Sequence, residues 1–382
     1  MPTRIRFSVL ALALMVLAAS QSFQAHAQSA AVAAKGRPAP GSMPGSWVFI
    51  PKADIEALMG PTRGDRPVRV VPVGGNANLG AFILHYPPMK NTVPNSFYHS
   101  EISELYYVIR GEGTALLGGE LKNAKWNDPN SPANKIITGP TVSGTMTNYK
   151  TQKWSAGDVI IVPAGVPHMI GWEVTVANDI LRVALDPKKS INMVPTREAS
   201  MDVLRAEGQA QGQARPPAAP LKSAPPNIPG TTFTFIPKAD MEALMNGNIA
   251  DRPARLVNIP DNANFGAFVL HMEPRKPTGG PVTSFYHSEI SELYYFIRGS
   301  GVAMMGGELE NATWDDSNSA SIRTVRGPSV NGTMKNAVAQ KFTAGDILIV
   351  SPGVPHAVTY QVDERTDIVR AVVDHNRRLE LK

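Results

Sequence analysis

Short apolar runs, many of them β-branched and broken every few residues by Gly, Pro or Asn, fill most of the chain after Trp47. Residues 68–73 and 79–86 read as two strands with an Asn- and Gly-rich turn between them, and 255–259 and 265–272 repeat the pair. Further strands are predicted through His99, over 104–109, 159–162 and 179–185, with matches at 347–350 and 367–373. Helical periods are few. Residues 47–59 and 233–245 both read as a short strand and then a helical turn opened by a proline, whose missing N–H is harmless at a helix start. A longer helix is predicted over 197–207. This pattern predicts an all-β protein of closed or double-sheet architecture with short helices.

The chain writes its central stretch twice. Residues 96–111 read SFYHSEISELYYVIRG and 284–299 read SFYHSEISELYYFIRG; only Val108 and Phe296 differ. A second shared segment follows each copy, GDVIIVPAGVPH ending at His168 and GDILIVSPGVPH ending at His356. The interval from His99 to His168 is 69 positions, as is that from His287 to His356. An internal repeat of this length predicts two like domains, over 46–186 and 231–376. Residues 187–230 form the connector, whose Gln-, Ala-, Gly- and Pro-rich part, 208–229, reads as an extended linker that tethers the domains without fixing their geometry. The polar, turn-rich inserts 126–140 and 314–327 read as surface loops, with a lid over each barrel mouth as the alternative.

These two linked motifs resemble those of the cupin superfamily. In its first motif a His-x-His pair is followed by a glutamate and then a glycine; in its second a glycine precedes Pro-x-Gly and a histidine. The resemblance implies two tandem cupin (jelly-roll) barrels, a bicupin, and a metal site in each: His99, Glu104 and His168 in the first, His287, Glu292 and His356 in the second. The departures are as informative. Phe97 and Phe285 stand where the first histidine belongs, Trp172 and Tyr360 replace an asparagine, and Ser351 replaces a proline. Two histidines and one glutamate per domain remain as ligands.

Side chains of a strand alternate between its faces, so Glu104 and Tyr106 share one face. With that face inward, the two histidines and the glutamate form a three-point clamp that leaves coordination positions open, as catalytic metals require. Iron(II) is the favoured metal on this reading, and manganese, zinc or nickel would also suit the donors. Tyr106 and Tyr294 are the candidates for substrate contact. His85 and His271, each ending an apolar strand, are candidate acid/base groups or ligands, with a hydrogen-bonded structural role as the alternative. Glu101 and Glu289 would supply a fourth ligand if extended and would face water if in a turn. Phe97, Phe285, Trp172 and Tyr360, if inward, would make the pockets aromatic.

Composition narrows the picture. With no cysteine in 382 residues, disulfides, thiolate metal sites and cysteine nucleophiles are excluded together. Arg4 and Arg6, the apolar run 7–19 and the Ala25-His26-Ala27 cleavage site read as a secretory signal over 1–27, followed by a disordered leader over 28–45. The expected destination is the periplasm, with no membrane span once the signal is cut. Its removal takes the net charge from +5 to +3 (5 − 2), and the remaining charges are mixed, which argues against a nucleic-acid partner. The partner expected is a small molecule, and self-association is compatible with the exposed barrel edges. The leading functional expectation is a metal-dependent dioxygenase of a small, aromatic or otherwise organic substrate. The alternatives are a non-redox lyase, isomerase or decarboxylase, and a non-enzymatic periplasmic ligand-binding protein.

Overall fold

The computed structural model describes residues 45–59, 63–210, 221–246 and 251–381. The predicted signal over 1–27 and nearly all of the leader lie outside the described residues. The all-β architecture implied by the cupin resemblance is the one observed: two tandem jelly-roll-like barrels, one per repeat. Among the described residues no helix is long and apolar enough to cross a membrane.

In the first barrel the two sheets are joined by two long strands, Ser103–Leu117 and His168–Asp186, which run antiparallel to each other and bend from one sheet into the other. The bend falls at Gly111, whose φ of 89° lies in the left-handed region and whose Cβ position would strike the backbone of Ala177 and Asn178. The second barrel makes the same turn by interruption: Ile290–Arg298 gives way to Ser300–Met305, and His356–Val362 to Thr366–Asp374.

The strands nearest the other barrel are apolar on both faces. Leu84, Tyr106, Val108, Ile160, Val162 and Ile180 point into the first barrel. Their neighbours Ile83, Leu105, Tyr107, Val159, Ile161, Leu181 and Val183 point the other way, into a cluster that also takes Leu293, Tyr295, Ile347, Ile349, Val369 and Ala371 from the second barrel. The rings of Tyr107 and Tyr295 lie 5.5 Å apart there. A strand buried on both faces has no polar side to show, which is why these runs are continuous rather than alternating.

The barrels also exchange edge strands. Trp47–Ile50, from the start of the first repeat, pairs antiparallel with Ile347–Val350 of the second barrel. Thr234–Ile236 pairs with Val159–Val162 of the first. The helix that follows each exchanged strand is then capped by the barrel that holds it. Asp346 Oδ1 accepts from the Lys52 N–H at 2.7 Å at the head of helix Lys52–Glu56, and Asp158 Oδ1 accepts from the Lys238 N–H at 2.6 Å at the head of Lys238–Met245. Asp158 and Asp346 thus fasten the opposite repeat.

The connector likewise departs from a free tether. Helix Arg197–Ala210 packs on the strand Gly64–Pro72, and Ser200 donates to the Pro67 carbonyl. Beyond it, residues 221–228 lie along the first barrel, with backbone bonds from Trp126 to Lys222, Ala224 to Ala124 and Leu121 to Pro226. The Tyr98 hydroxyl donates to the Pro225 carbonyl at 2.9 Å. Proline and glycine keep this stretch out of regular structure, but its carbonyls are spent on the barrel edge.

Candidate metal centres

His99 ends the strand Asn95–His99, Glu104 opens Ser103–Leu117, and His168 opens His168–Asp186, so the triad collects at the seam where the two sheets meet. His287, Glu292 and His356 occupy the same places in the second barrel, and within each triad the donor atoms all lie within 4.8 Å of one another. All six residues are buried.

The hydrogen bonds around each triad fix which nitrogen faces inward. His168 Nδ1 lies 2.9 Å from the Val166 carbonyl and His356 Nδ1 lies 2.8 Å from that of Val354, so in both rings Nδ1 is the donor. Thr141 Oγ1 donates to the Gly139 carbonyl at 3.0 Å and thereby accepts from His99 Nδ1 at 3.0 Å; Ser329 does the same between Gly327 and His287 at 2.9 Å each. With Nδ1 carrying the proton, every Nε2 presents a lone pair to the shared carboxylate. The separations are 3.4 Å for His99 Nε2 and 3.1 Å for His168 Nε2 in the first centre, and 3.4 and 3.3 Å in the second.

Burial pushes the His99 and His287 imidazoles down, with the second histidine and the arginine of each centre adding to it against the pull of the glutamate, so these rings are neutral. Burial alone would raise the glutamates, but the buried guanidiniums of Arg182 and Arg370 hold Glu104 and Glu292 well below the usual carboxylate range.

This donor set fits a divalent cation. Bonds of about 2.1 Å place neighbouring donors about 3.0 to 3.4 Å apart, which is the spacing of each histidine nitrogen from the glutamate here. Imidazole lone pairs turned on an ionised carboxylate repel it without a cation between them, and among the described residues His287 Nε2 is buried with no hydrogen-bond partner. Two nitrogens and one oxygen from the protein leave the remaining coordination positions to water or substrate.

Tyr106 stands beside the triad. Its hydroxyl donates to Glu104 Oε2 at 2.7 Å and lies 3.3 Å from His168 Nε2; Tyr294 stands at 2.8 Å from Glu292 and 3.5 Å from His356. Burial first, then the adjacent glutamate, raise both phenols well above their ordinary value, so both keep their protons. Phe97 flanks the centre, its ring 5.0 Å from that of His99 and 5.1 Å from that of His168, and Phe285 repeats this at 5.1 and 5.2 Å.

Other candidates are placed elsewhere. His85 and His271 do not reach the triads: they point from the face of their strands opposite to Leu84 and Leu270, toward the neighbouring barrel. There His85 Nδ1 bonds Asp179 at 2.8 Å and His271 bonds Asp367. Arg110 and Arg298 take the other oxygen of each aspartate, so each histidine is tied into a three-residue cluster away from its triad. Glu101 and Glu289 sit in the turn and pair with Ser190 and Lys188, and with Asn376 and Arg378. Trp172 packs with Tyr98, Leu116 and Met146 on the side of its sheet away from His99, which removes it from the pocket wall.

Three supports escaped the sequence reading. Arg182, buried, donates to Glu104 Oε1 at 2.7 Å and to the Ile137 carbonyl at 3.1 Å, pairs with Asp65 at 3.0 Å, and lies 3.9 Å over the Phe82 ring. Arg370 pairs with Glu292, with Asp251 at 2.9 Å and with Phe268. The insert around residue 137 therefore closes one flank of the centre through its backbone. A charged residue repeated inside an apolar strand (DILRVAL, DIVRAVV), a repeated Asp-Arg-Pro at 65–67 and 251–253, and a repeated Gly-Pro-Thr/Ser before Thr141 and Ser329 were the available signals.

No protein-family model matches the chain, and no curated protein matches it in sequence. Among solved structures it is similar to an oxalate decarboxylase over 89% of this chain and 74% of that chain, with 11% identity and a TM-score of 0.39. It is also similar to the Lactobacillus farciminis oxalate decarboxylase formate complex, over 89% and 83%, with 14% identity and a TM-score of 0.36. The Bacillus subtilis oxalate decarboxylase at pH 4.6 covers 83% and 75%, with 11% identity and a TM-score of 0.35.

Proposed function

We propose that each barrel is a metal-dependent catalytic centre for redox-neutral proton-transfer chemistry, of the lyase, isomerase or decarboxylase class, on a small oxygen-bearing organic substrate. One observation carries this reading: a protonated tyrosine hydroxyl stands 2.7 to 2.8 Å from the ligand carboxylate in both centres, beside the open coordination positions. A bound divalent ion, with manganese, iron, zinc or nickel all suited to the donors, would supply Lewis-acid polarisation of a substrate oxygen.

The chain's own residues do the rest. Glu104 and the two Nε2 atoms would hold the ion, while Thr141 and the Val166 carbonyl keep the rings turned inward. Arg182 balances the glutamate charge. Tyr106 Oη can pass its proton to a substrate carbon or oxygen held beside it, and Phe97 limits water around the reacting atoms.

A second reading, the dioxygenase favoured from the sequence, keeps the support of Phe97 and Phe285 beside the open positions, but it loses Trp172 as pocket lining. Turnover of a panel of small hydroxy and oxo compounds by metal-loaded protein under strict anaerobiosis separates the two. Retained turnover supports the proton-transfer reading; turnover that appears only with dioxygen, with matching oxygen uptake, overturns it in favour of the oxygenase. We further propose that the protein is exported, for which a mature N-terminus at Gln28 in envelope-purified protein is the check.

A further inference from the structure

The two centres share their ligands but not their approaches. On the sheet that carries His99, cross-strand register stacks the side chains of one face in rows. His99 and Thr141 form the innermost row; Phe97, Ser143 and Lys125 the next; Asn95, Thr145 and Lys122 the third, with Glu120 and Thr147 beyond it at the rim. Cross-strand partners share a face, and successive rows lie about 7 Å apart, so the ladder leads outward from the metal ligands. Phe97 touches the triad at one end and lines an open groove of about 510 Å³ at the other, together with both lysines. No acidic residue lines this groove, and neither lysine has an ion-pair partner among the described residues.

The same ladder in the second barrel reads His287 and Ser329, then Phe285, Asn331 and Thr313, then Thr283, Thr333 and Glu310. Among the described residues, its groove, about 430 Å³, is lined by no charged side chain. Glu310 is paired with Lys335 at 3.2 Å, and Arg326, over the Phe285 ring at 4.9 Å, is held by Asp315 at 3.4 Å. The nearby charges there are held in pairs, whereas Lys122 and Lys125 line the first groove without an ion-pair partner among the described residues, Glu120 standing one row farther out.

We propose that the two centres differ in substrate: the first takes a small organic anion, drawn in and held at its distal end by Lys125 and Lys122, and the second takes a neutral molecule. Exposed amines act weakly one by one, but two of them facing one carboxylate amount to about tenfold in affinity at low ionic strength, fading as salt screens them.

This inference rests on the reading of the triads as metal centres, and the test keeps the two apart. Single-centre chains, His99→Ala or His287→Ala, are loaded with cobalt(II) and titrated with two hydroxamates that bind the metal alike but differ at the far end, succinic monohydroxamate (carboxylate) and butyrohydroxamate (methyl). The cobalt visible absorption reads both metal uptake and ligand binding. The first centre should prefer the carboxylate about tenfold and the second should not discriminate. Lys122→Glu with Lys125→Thr, which installs the second barrel's residues, should abolish the preference, and Glu310→Lys with Thr313→Lys should create one at the second centre. These exposed swaps can be read equally in the intact two-centre chain, as loss or gain of a tighter phase, should a histidine variant misfold. Equal preference at the two centres, or a preference that survives the lysine swap, overturns the proposal while leaving the metal reading intact. Absence of cobalt uptake overturns the metal reading and this inference with it.

Discussion

Each barrel buries histidine against carboxylate on both faces of the same strands, with opposite results. On the interior face His99 and His168 spend Nδ1 on Thr141 and on the Val166 carbonyl, so their Nε2 lone pairs converge with Glu104 on a single point. On the face toward the other barrel His85 turns Nδ1 to Asp179, and Arg110 takes the second oxygen. That cluster is electrically and geometrically closed. A histidine beside an acid is therefore ambiguous until it is known which ring nitrogen is engaged elsewhere.

The strongest way to break the open face is Glu104→Gln. It removes the carboxylate ligand of one centre and leaves buried Arg182 facing a neutral amide, with Asp65 as its remaining acid. Elemental analysis should show one metal per chain against two expected for the intact protein, and denaturant unfolding should show a loss of about 3 to 5 kcal/mol. Asp179→Asn is the matching cut on the closed face. It should cost about 2 kcal/mol through His85 and Arg110 while metal content stays unchanged; a loss of metal would show that the two faces are coupled. The finest test is Thr141→Val, which deprives His99 Nδ1 of its acceptor without touching a ligand. Chelator competition should show metal held about tenfold or more weakly at the first centre, with the second, ordered by Ser329, serving as internal control.

The triads were legible because strand alternation and an exact repeat together constrain where His99, Glu104 and His168 can point. Arg182, Asp65 and Thr141 were not, because each reaches the centre from a strand whose pairing no local pattern reveals. His85 carried the same surface signal as a ligand, a repeated histidine at the end of an apolar strand, yet it lies one residue out of phase with Leu84, and that single step sends it to the other face. The exchange of edge strands was invisible for a different reason. Residues 48–54 and 234–240 are so alike that either segment would fit either barrel, and the choice between them is made by chain geometry rather than by composition.

That exchange gives the molecule the logic of a homodimer folded into one chain. Either repeat expressed alone would be left with an open sheet edge at Val159–Val162 or Ile347–Val350 and a helix lacking its cap, and the ready remedy would be a second copy of itself, swapped reciprocally. Covalent linkage makes such a partner permanent. Because each repeat always meets the other rather than its own duplicate, substitutions at one barrel mouth need not be mirrored at the other, and a duplicated gene is free to give two identical metal cages separate clients.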